Sequence, residues 1–294
     1  MEFRDYQESA KQTIQSYGKN KEMDEIIPFL GIIGETGSVI SELKKLLRDG
    51  RGGYNNFENQ LKEELGDVLW YISTIASQNG LTLEDIASHN LEKINDRFSD
   101  DENSNFKIYD ESYPKKEQFP REFEINFKET TENKKCKIEI LDIDGNSIGD
   151  PLTDNAHIED GYRYHDIFHY GYVAYLGWSP VVRKLLELKR KSNNATDEVE
   201  DGARAAITEE LITLYIYSHA QNHQLFKYSD RVDTEVLKSV QKMVSKIEVK
   251  DCTARQWEKA IINSYDVYDE LRRNKGGRVL VSIKNRRLIY LGKK

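Results

Sequence analysis

The sequence predicts a mainly α-helical protein with two domains and a few short β-hairpins. Apolar residues recur at helical spacing through most of the chain, and glycine-rich or polar loops separate these segments. A length of 294 residues is enough for two domains of ordinary size. With 17 Tyr and 10 Phe, the chain is too aromatic to be disordered throughout.

Residues 1–98 are predicted to form a bundle of four amphipathic helices joined by short loops. The first helix ends at Gly18, the second ends before the DGRGG loop, and the third is followed by Gly80. The fourth begins with the capping-box sequence TLED. The predicted spans are about 3–17, 23–48, 57–79 and 82–98.

The rest of the chain is predicted to be a polar linker or loosely packed arm, residues 99–120, followed by a C-terminal domain, residues 121–294. Alternating apolar residues indicate a strand at 123–127 and a hairpin from 137 to 148 that turns at Asp144-Gly145-Asn146. A second hairpin, 278–291, turns near Lys284-Asn285. Helical periodicity covers about 164–191, 197–224, 234–247 and 255–273.

Composition argues against several classes of protein. The formal charge of -8 gives no overall basic field for nucleic acid, so nucleic acid is not an expected partner. No uninterrupted run of 18 apolar residues occurs, and the N-terminus lacks the apolar core of a secretory signal. The two cysteines, Cys136 and Cys252, fit neither a disulfide framework nor a zinc site. These features predict a soluble cytoplasmic protein without a membrane partner.

Acidic residues on two predicted helices of the first domain suggest a metal site. Glu64 and Asp67 are three apart on the third helix and share a face. Glu35 lies on the second helix among three glycines that would let a partner helix or ligand approach closely, Gly31, Gly34 and Gly37. Carboxylates converging from two helices suit Mg²⁺, which could bridge phosphate oxygens and lower the pKa of a bound water.

Basic and polar side chains complement these acids. Asn90, Lys93 and Arg97 form a stripe on the fourth helix, and Lys44 and Lys45 lie near the end of the second. Acids that hold a cation and bases that hold phosphate are what triphosphate chemistry requires. The same patterns are also typical of solvated helix faces, and spacing alone leaves both interpretations open.

The segments GIIGETGSVISELKKLLRDG and LKEELGDVLWYISTIASQNGLTLEDIASHNLEKINDR resemble the MazG-type all-α nucleoside triphosphate pyrophosphohydrolases over residues 1–98. The resemblance implies that Glu35, Glu64 and Asp67 are catalytic ligands of Mg²⁺, with Mn²⁺ as a substitute. It implies that Asn90 and Lys93 bind substrate phosphates, assisted by Arg97 or Lys44, and that Trp70 either borders the base or packs in the core. Cleavage between the α and β phosphates of a nucleoside triphosphate, or of a related polyphosphate nucleotide, and a dimer or tetramer are implied too.

The sequence departs from this family at Ser38, where the ExxE motif has its second glutamate. Glu42 lies about 10 Å along the helix from Glu35, at about 1.5 Å per residue. That distance is too long for joint ligation of one Mg²⁺ with bonds of about 2.0–2.1 Å. A serine hydroxyl could hold a metal-bound water at lower affinity. Two functions therefore remain open for the first domain, an active pyrophosphohydrolase and a catalytically weakened nucleotide sensor. A third, an interaction or nucleic-acid-binding protein whose second half is the working part, is opposed by the acidic charge.

The second half carries two further signals. Residues 207–222 echo residues 61–73, with Glu209 and Glu210 over Glu63 and Glu64, which is consistent with a diverged second copy or with ordinary helix patterning. The segment DGYRYHDIFHYGYVAYLGWSP resembles a C-terminal domain found behind some MazG modules.

His165 and His169 in this segment are one helical turn apart. They could bind a transition metal completed by an acid, or form a polar cluster that ties helices together. The acids available for a metal site are Glu200, Asp201 and Glu210, and the arginines available for a polar cluster are Arg163 and Arg204.

Overall fold

The computed structural model describes residues 1–15, 21–98, 106–132 and 135–293. It divides into two compact units, residues 1–95 and 96–294. The chain is 60% helical, and the described residues form ten α-helices and one antiparallel sheet of four strands. The predicted mainly α-helical fold is therefore confirmed.

The helices of the first part of the chain are α1 (Phe3–Lys11), α2 (Lys21–Gly53), α3 (Phe57–Gln78) and α4 (Leu83–Phe98). Helix α2 packs along α3, and α1 packs on α3. At Gly31 the two long helices approach so closely that a Cβ would overlap the ring of Tyr71. This contact sets which face of α2 is turned toward α3.

Two helix ends differ from the prediction. Helix α1 ends at Lys11 rather than near residue 17, because Thr13 turns the chain and its hydroxyl donates to the Ala10 carbonyl at 2.7 Å; residues 16 and 17 lie outside the described residues. Helix α2 continues through the predicted DGRGG loop to Gly53, with a kink where Gly50 takes a φ of 69°.

The start of α4 is fixed by hydrogen bonds from two directions. The Asp85 N–H donates to the Thr82 hydroxyl at 3.0 Å, as the TLED capping sequence predicts. The Gln7 side chain of α1 accepts from the Leu83 N–H at 2.8 Å and donates to the Leu81 carbonyl at 2.9 Å. Gln7 therefore ties α1 to the turn between α3 and α4.

The second unit contains six further helices, of which α10 matches its predicted span and the others are shorter than predicted. The predicted helix 164–191 is broken after Leu176, because Gly177 takes the left-handed conformation with a φ of 65° and Ser179 caps a new helix. The helices are α5 (Asp166–Leu176), α6 (Pro180–Leu185), α7 (Asn194–Val199), α8 (Ala203–Gln221), α9 (Thr234–Met243) and α10 (Ala254–Asn274).

The two hairpins join in one sheet with strand order β2-β1-β3-β4. Its strands are β1 (Glu122–Glu132), β2 (Lys135–Leu141), β3 (Gly276–Ser282) and β4 (Arg287–Gly292). The C-terminal hairpin β3–β4 is confirmed. The first hairpin differs from its prediction because β2 pairs with β1 as a full strand, while the chain after the turn at 144–146 joins β2 through two isolated bridges, Leu141–Ser147 and Ile138–Leu152. The pairing of β1 with β3 connects residues about 150 positions apart in sequence.

Helix α5 is almost wholly buried and packs against α10 and the sheet, with Trp178 and Trp257 in the same core. Residues 106–120 also join this core, although their composition predicts a linker. Phe119 is buried, its N–H donates to Asp110 at 2.8 Å, and the Arg183 guanidinium lies 4.0 Å from the centre of its ring. Distant partners in the fold thus order a segment that looks like a loose arm.

Buried ion pairs hold the loops of the second unit. The Arg190 side chain is 1% exposed and donates to Asp201 at 2.6 Å and to Glu248 at 2.7 Å. The nearby Arg183 donates to Asp110 at 2.9 Å. A buried charge without a partner is costly, so loss of the acid that pairs with either arginine would destabilise the fold.

By length and composition, helix α2 is apolar enough to cross a membrane. The sequence has no uninterrupted run of 18 apolar residues and so does not predict this. The most apolar 18-residue window of α2 has a mean hydropathy of 1.4, and 11% of that window is buried. Core helices of soluble proteins and N-terminal signal sequences meet the same criterion, so this is weak evidence.

We expect Asp201→Ala to destabilise the second unit by about 3–5 kcal/mol, because it leaves the buried Arg190 without its main partner. Lys238→Ala, at an exposed pair with Glu235, should cost about 0–1 kcal/mol. Urea unfolding followed by tryptophan fluorescence measures the stability of both variants. A Trp70→Phe background is used so that the two remaining tryptophans, Trp178 and Trp257, report on the second unit alone. Equal midpoints for the two variants would contradict this assignment.

Candidate active site

The packing of α2 on α3 brings three predicted metal ligands together. Glu35 projects from α2, while Glu64 and Asp67 project from one face of α3. One carboxylate oxygen of each lies within 4.8 Å of the other two. Glu35 and Glu64 are half-buried and Asp67 is exposed, so the cluster is open to solvent.

A second group borders Glu64. Glu42 is buried and accepts hydrogen bonds from Lys45 and from the Tyr54 hydroxyl, which lower the pKa of its carboxyl. The charge of Glu64 contributes to raising the pKa of both Lys45 and Tyr54, after their stronger interactions with Glu42. Glu42 is thus occupied by its own partners, in agreement with the expectation that it does not share an ion with Glu35.

The side of α2 that carries Ser38 is open. The Ser38 hydroxyl is half-buried and forms no hydrogen bond within the described part of the chain. A Cβ at Gly34 or Gly37 would meet nothing within 4 Å. Of the three glycines, Gly31 alone therefore serves close helix packing among the described residues, while the other two leave space beside Glu35.

Tyr6 of α1 is a further neighbour of the acids. Partial burial, and then the charge of Asp67, raise the pKa of the Tyr6 phenol. Sequence reasoning treats Tyr6 as an apolar residue of an amphipathic helix and leaves out Tyr54, which directly follows α2. Neither tyrosine has a spacing that links it to the ExxD motif, so only the packed helices identify them.

The predicted phosphate-binding residues have different surroundings. Asn90 and Lys93 are exposed on α4, with no hydrogen bond or ion pair within the described residues. Lys44 is exposed, whereas its neighbour Lys45 is the lysine that interacts with Glu42 and Glu64. The roles of Asn90, Lys93 and Lys44 remain predictions.

Two other predicted substrate contacts are engaged elsewhere. The Trp70 indole N–H donates to the Thr13 hydroxyl at 2.7 Å, and its ring packs edge-on against Tyr71 at 5.0 Å, which favours the packing interpretation. Arg97 belongs to the second unit, where its guanidinium donates to the Val232 carbonyl at 3.4 Å. The contact observed for Arg97 is therefore with the second unit, and its predicted role in phosphate binding remains a prediction.

Comparison with known proteins matches both parts of the chain to family models. Residues 28–100 match the MazG nucleotide pyrophosphohydrolase domain, and residues 104–294 match the MazG C-terminal domain. The Gene 37 protein of Mycobacterium phage L5 is 39% identical over 70 residues, which is 23% of this chain and 60% of that protein. The chain thus spans about 60% of the length of this curated relative. No solved structure matches.

The second unit differs from the first in its secondary structure and in the family model that it matches. It contains the four-stranded sheet, and Glu209 of α8 is fully buried, whereas Glu63, its counterpart in the duplication hypothesis, is exposed. These differences argue against a diverged second copy. The chain belongs to the MazG family, with a nucleotide pyrophosphohydrolase domain followed by a MazG C-terminal domain.

Proposed function

We propose that the first unit hydrolyses nucleoside triphosphates to nucleoside monophosphates and pyrophosphate with the help of Mg²⁺ or Mn²⁺. The observation that carries this proposal is the approach of Glu35, Glu64 and Asp67 to within 4.8 Å of one another from two packed helices. Membership of the nucleotide pyrophosphohydrolase family supports the class of reaction.

The three acids fit a hard divalent cation. Oxygen ligands around Mg²⁺ lie at about 2.0–2.1 Å from the ion, so neighbouring and opposite oxygens are about 3–4 Å apart. Small side-chain rotations would bring Glu35, Glu64 and Asp67 into that range, and their partial exposure leaves room for water and phosphate oxygens. When bound, the cation neutralises phosphate charge and lowers the pKa of water.

The side chains position the nucleotide and the water around the scissile bond. In this mechanism a water oxygen bonds to the α-phosphorus and gives up a proton to the solvent, and the bond from this phosphorus to the α–β bridging oxygen breaks. The bridging oxygen leaves with the electron pair as part of pyrophosphate. Asn90 and Lys93 bind phosphate oxygens, and the charge of Lys45 beside Glu64 adds to the positive field that the leaving group needs.

We expect Glu64→Gln to reduce pyrophosphate release at least 100-fold and to weaken Mn²⁺ binding, because it removes one of three anionic ligands. The matched control is Glu63→Gln, the exposed neighbour that accepts from Gln60 at 3.2 Å and should retain both properties. A panel of ribo- and deoxyribonucleoside triphosphates with Mg²⁺ or Mn²⁺ measures turnover, and electron paramagnetic resonance counts free Mn²⁺. Full activity of Glu64→Gln would reject the ligand assignment.

A nucleotide sensor is the second candidate, and Ser38 is the observation that favours it. Its hydroxyl lies one helical turn from Glu35 without a hydrogen-bond partner among the described residues, where the family motif supplies a fourth carboxylate. A sensor binds nucleotide saturably without forming product, which calorimetry and product analysis distinguish.

We expect Ser38→Glu to raise turnover of a weakly active wild-type chain about tenfold or more, because it restores a carboxylate next to the cation. Ser41→Glu is the control on the same helix, since Ser41 is exposed and its hydroxyl donates to the Gly37 carbonyl at 3.0 Å. An unchanged rate in Ser38→Glu would mean that the site uses a different ligand arrangement.

We also propose that the first unit packs against a second copy of the chain. Four apolar residues recur every seven positions along α2, with exposed fractions of 46%, 69%, 54% and 75%, namely Ile26, Ile33, Ile40 and Leu47. A seven-residue apolar repeat is the pattern with which one helix packs along another. A membrane explains this row less well, because Glu35 and Glu42 of the same helix would each cost about 2.5–3.5 kcal/mol in the centre of a bilayer.

The MazG family is soluble, and we propose a cytoplasmic location on that basis. The expected oligomer is therefore one that forms in water, where burial of the α2 row contributes about 25 cal/mol per Å² of apolar surface. The heptad row predicts helix–helix contacts between copies but leaves the choice between dimer and tetramer to experiment.

We expect Ile33→Lys to shift the chain toward monomer, because it places a charge in the centre of the α2 row. Size-exclusion chromatography with light scattering, in buffer without detergent, measures the mass. Ile158→Lys is the matched control, since Ile158 is 83% exposed and lies outside the row. A wild-type chain that is monomeric at all concentrations, or an Ile33→Lys variant with unchanged mass, would contradict the proposal.

A further inference from the structure

Two histidines and two acids of the second unit meet at the start of α5. The His165 Nε2 lies 3.2 Å from an Asp166 oxygen, and the His169 Nε2 lies 3.5 Å from a Glu210 oxygen of α8. Ligand atoms of His165, Asp166 and His169 all lie within 4.8 Å of one another. We propose that His165, Asp166, His169 and Glu210 bind one divalent transition-metal ion.

The opposite nitrogen of each histidine is already held by an acceptor. The His169 Nδ1 lies 2.8 Å from Glu209, and the His165 Nδ1 lies 2.8 Å from the Tyr162 carbonyl. A carboxylate and a carbonyl accept hydrogen bonds, so both Nδ1 atoms carry a proton, and in the neutral imidazole each Nε2 keeps a lone pair. Metal-binding histidines are typically oriented in this way.

The orienting residues are themselves fixed. Glu209 is fully buried and accepts from the Ser179 hydroxyl at 2.6 Å and from the Val181 N–H at 2.9 Å. The Tyr162 ring stacks on the His165 ring with centroids 4.3 Å apart and planes 1° apart. Both imidazole rings are therefore held in place before any ligand arrives.

The buried Nε2 of His169 is the unexplained atom of this cluster. It has no hydrogen-bond partner within the described residues, although His169 is fully buried. The facing acids Asp166 and Glu210, with Glu209 behind the ring, give an excess of negative charge around it. A cation at the Nε2 side satisfies both the lone pair and the carboxylates.

A proton on His169 is the competing explanation. Burial lowers the pKa of His169, but the carboxylates of Glu209 and Glu210 overcome this effect and raise it well above its ordinary value. An imidazolium would then pair with the acids without any metal. The two explanations differ in metal content, which can be measured directly.

The structure also decides among the partners that the sequence leaves open. Glu200 accepts from the Glu248 N–H at 2.8 Å and Asp201 pairs with Arg190, so of these three acids it is Glu210 that lies beside a histidine, His169. Arg163 pairs with Asp154 at 2.6 Å rather than with a histidine. The polar-cluster interpretation through Arg163 is thus wrong.

The donor set indicates the class of metal. Two imidazole nitrogens and two carboxylate oxygens favour Zn²⁺, Co²⁺, Fe²⁺ or Mn²⁺ over Mg²⁺. Ligand atoms around tetrahedral Zn²⁺, at about 2.0–2.1 Å from the ion, are about 3.3 Å apart, close to the 3.2 Å between His165 and Asp166 and the 3.5 Å between His169 and Glu210. The Glu210 side chain is 47% exposed, so an ion enters from that side.

Metal titration of the full chain tests the proposal. The untagged, chelator-treated Glu64→Gln variant removes the contribution of the first-unit acids, and calorimetry with Zn²⁺ together with Co²⁺ absorption spectra reports on nitrogen ligation. We expect one equivalent per chain, an affinity reduced at least 100-fold by His165→Gln or His169→Gln, and about 10–100-fold by Glu209→Gln. His157→Gln, at an exposed histidine, should leave binding unchanged.

Other outcomes would overturn the assignment. Absence of stoichiometric binding would favour the protonated His169, and binding that survives His165→Gln would place the ion elsewhere. Loss of binding in His219→Gln or His223→Gln would assign it to the exposed cluster of those residues with Asp233. If His169→Gln fails to fold, as judged by circular dichroism, Glu210→Gln tests the same site from its exposed side.

Discussion

The approach of Glu35, Glu64 and Asp67 to within 4.8 Å of one another is the feature of the first unit on which its proposed chemistry depends. Two unit charges 4.8 Å apart repel by about 1 kcal/mol in bulk water and by about 3–4 kcal/mol at an effective dielectric constant of 20. The contact of Gly31 with Tyr71 holds the helices that carry these acids, so the two helix backbones cannot move apart without loss of packing. A divalent cation at the proposed site would offset this repulsion.

Local sequence signals were sufficient for most helices and insufficient for long-range contacts. Periodicity and caps predict α3 and α4 closely, because the Thr82 cap and the apolar stripe of α3 are properties of neighbouring residues. The pairing of β1 with β3 and the burial of Phe119 depend on partners far along the chain, β3 and Arg183. No pattern within residues 99–120 reveals such partners, and the segment therefore resembles a linker.

In the candidate site, too, local spacing predicts some residues, and others are identified only by packing. The i, i+3 spacing of Glu64 and Asp67 indicates a shared face, and the glycines around Glu35 indicate a close helix approach, so the three acids could be found from sequence. Tyr6 and Tyr54 could not, because a tyrosine on an amphipathic helix or after a loop has the pattern of a core residue. Arg97 fits the basic stripe of α4 by spacing, yet its hydrogen bond is to Val232 of the second unit.

The two proposed cation sites differ in how much of each is built before the ion arrives. Glu35, Glu64 and Asp67 form no hydrogen bonds within the described part of the chain, so their oxygens are free to adjust around a cation that arrives with a nucleotide. His165 and His169 are instead oriented by the Tyr162 carbonyl and by buried Glu209. Imidazoles that are already oriented lose little conformational entropy when they bind an ion, which favours its retention. Carboxylates that must first be ordered lose more entropy, which favours exchange of the ion with solvent. On this argument the first proposed site would exchange its cation with each turnover, and the second would retain its ion.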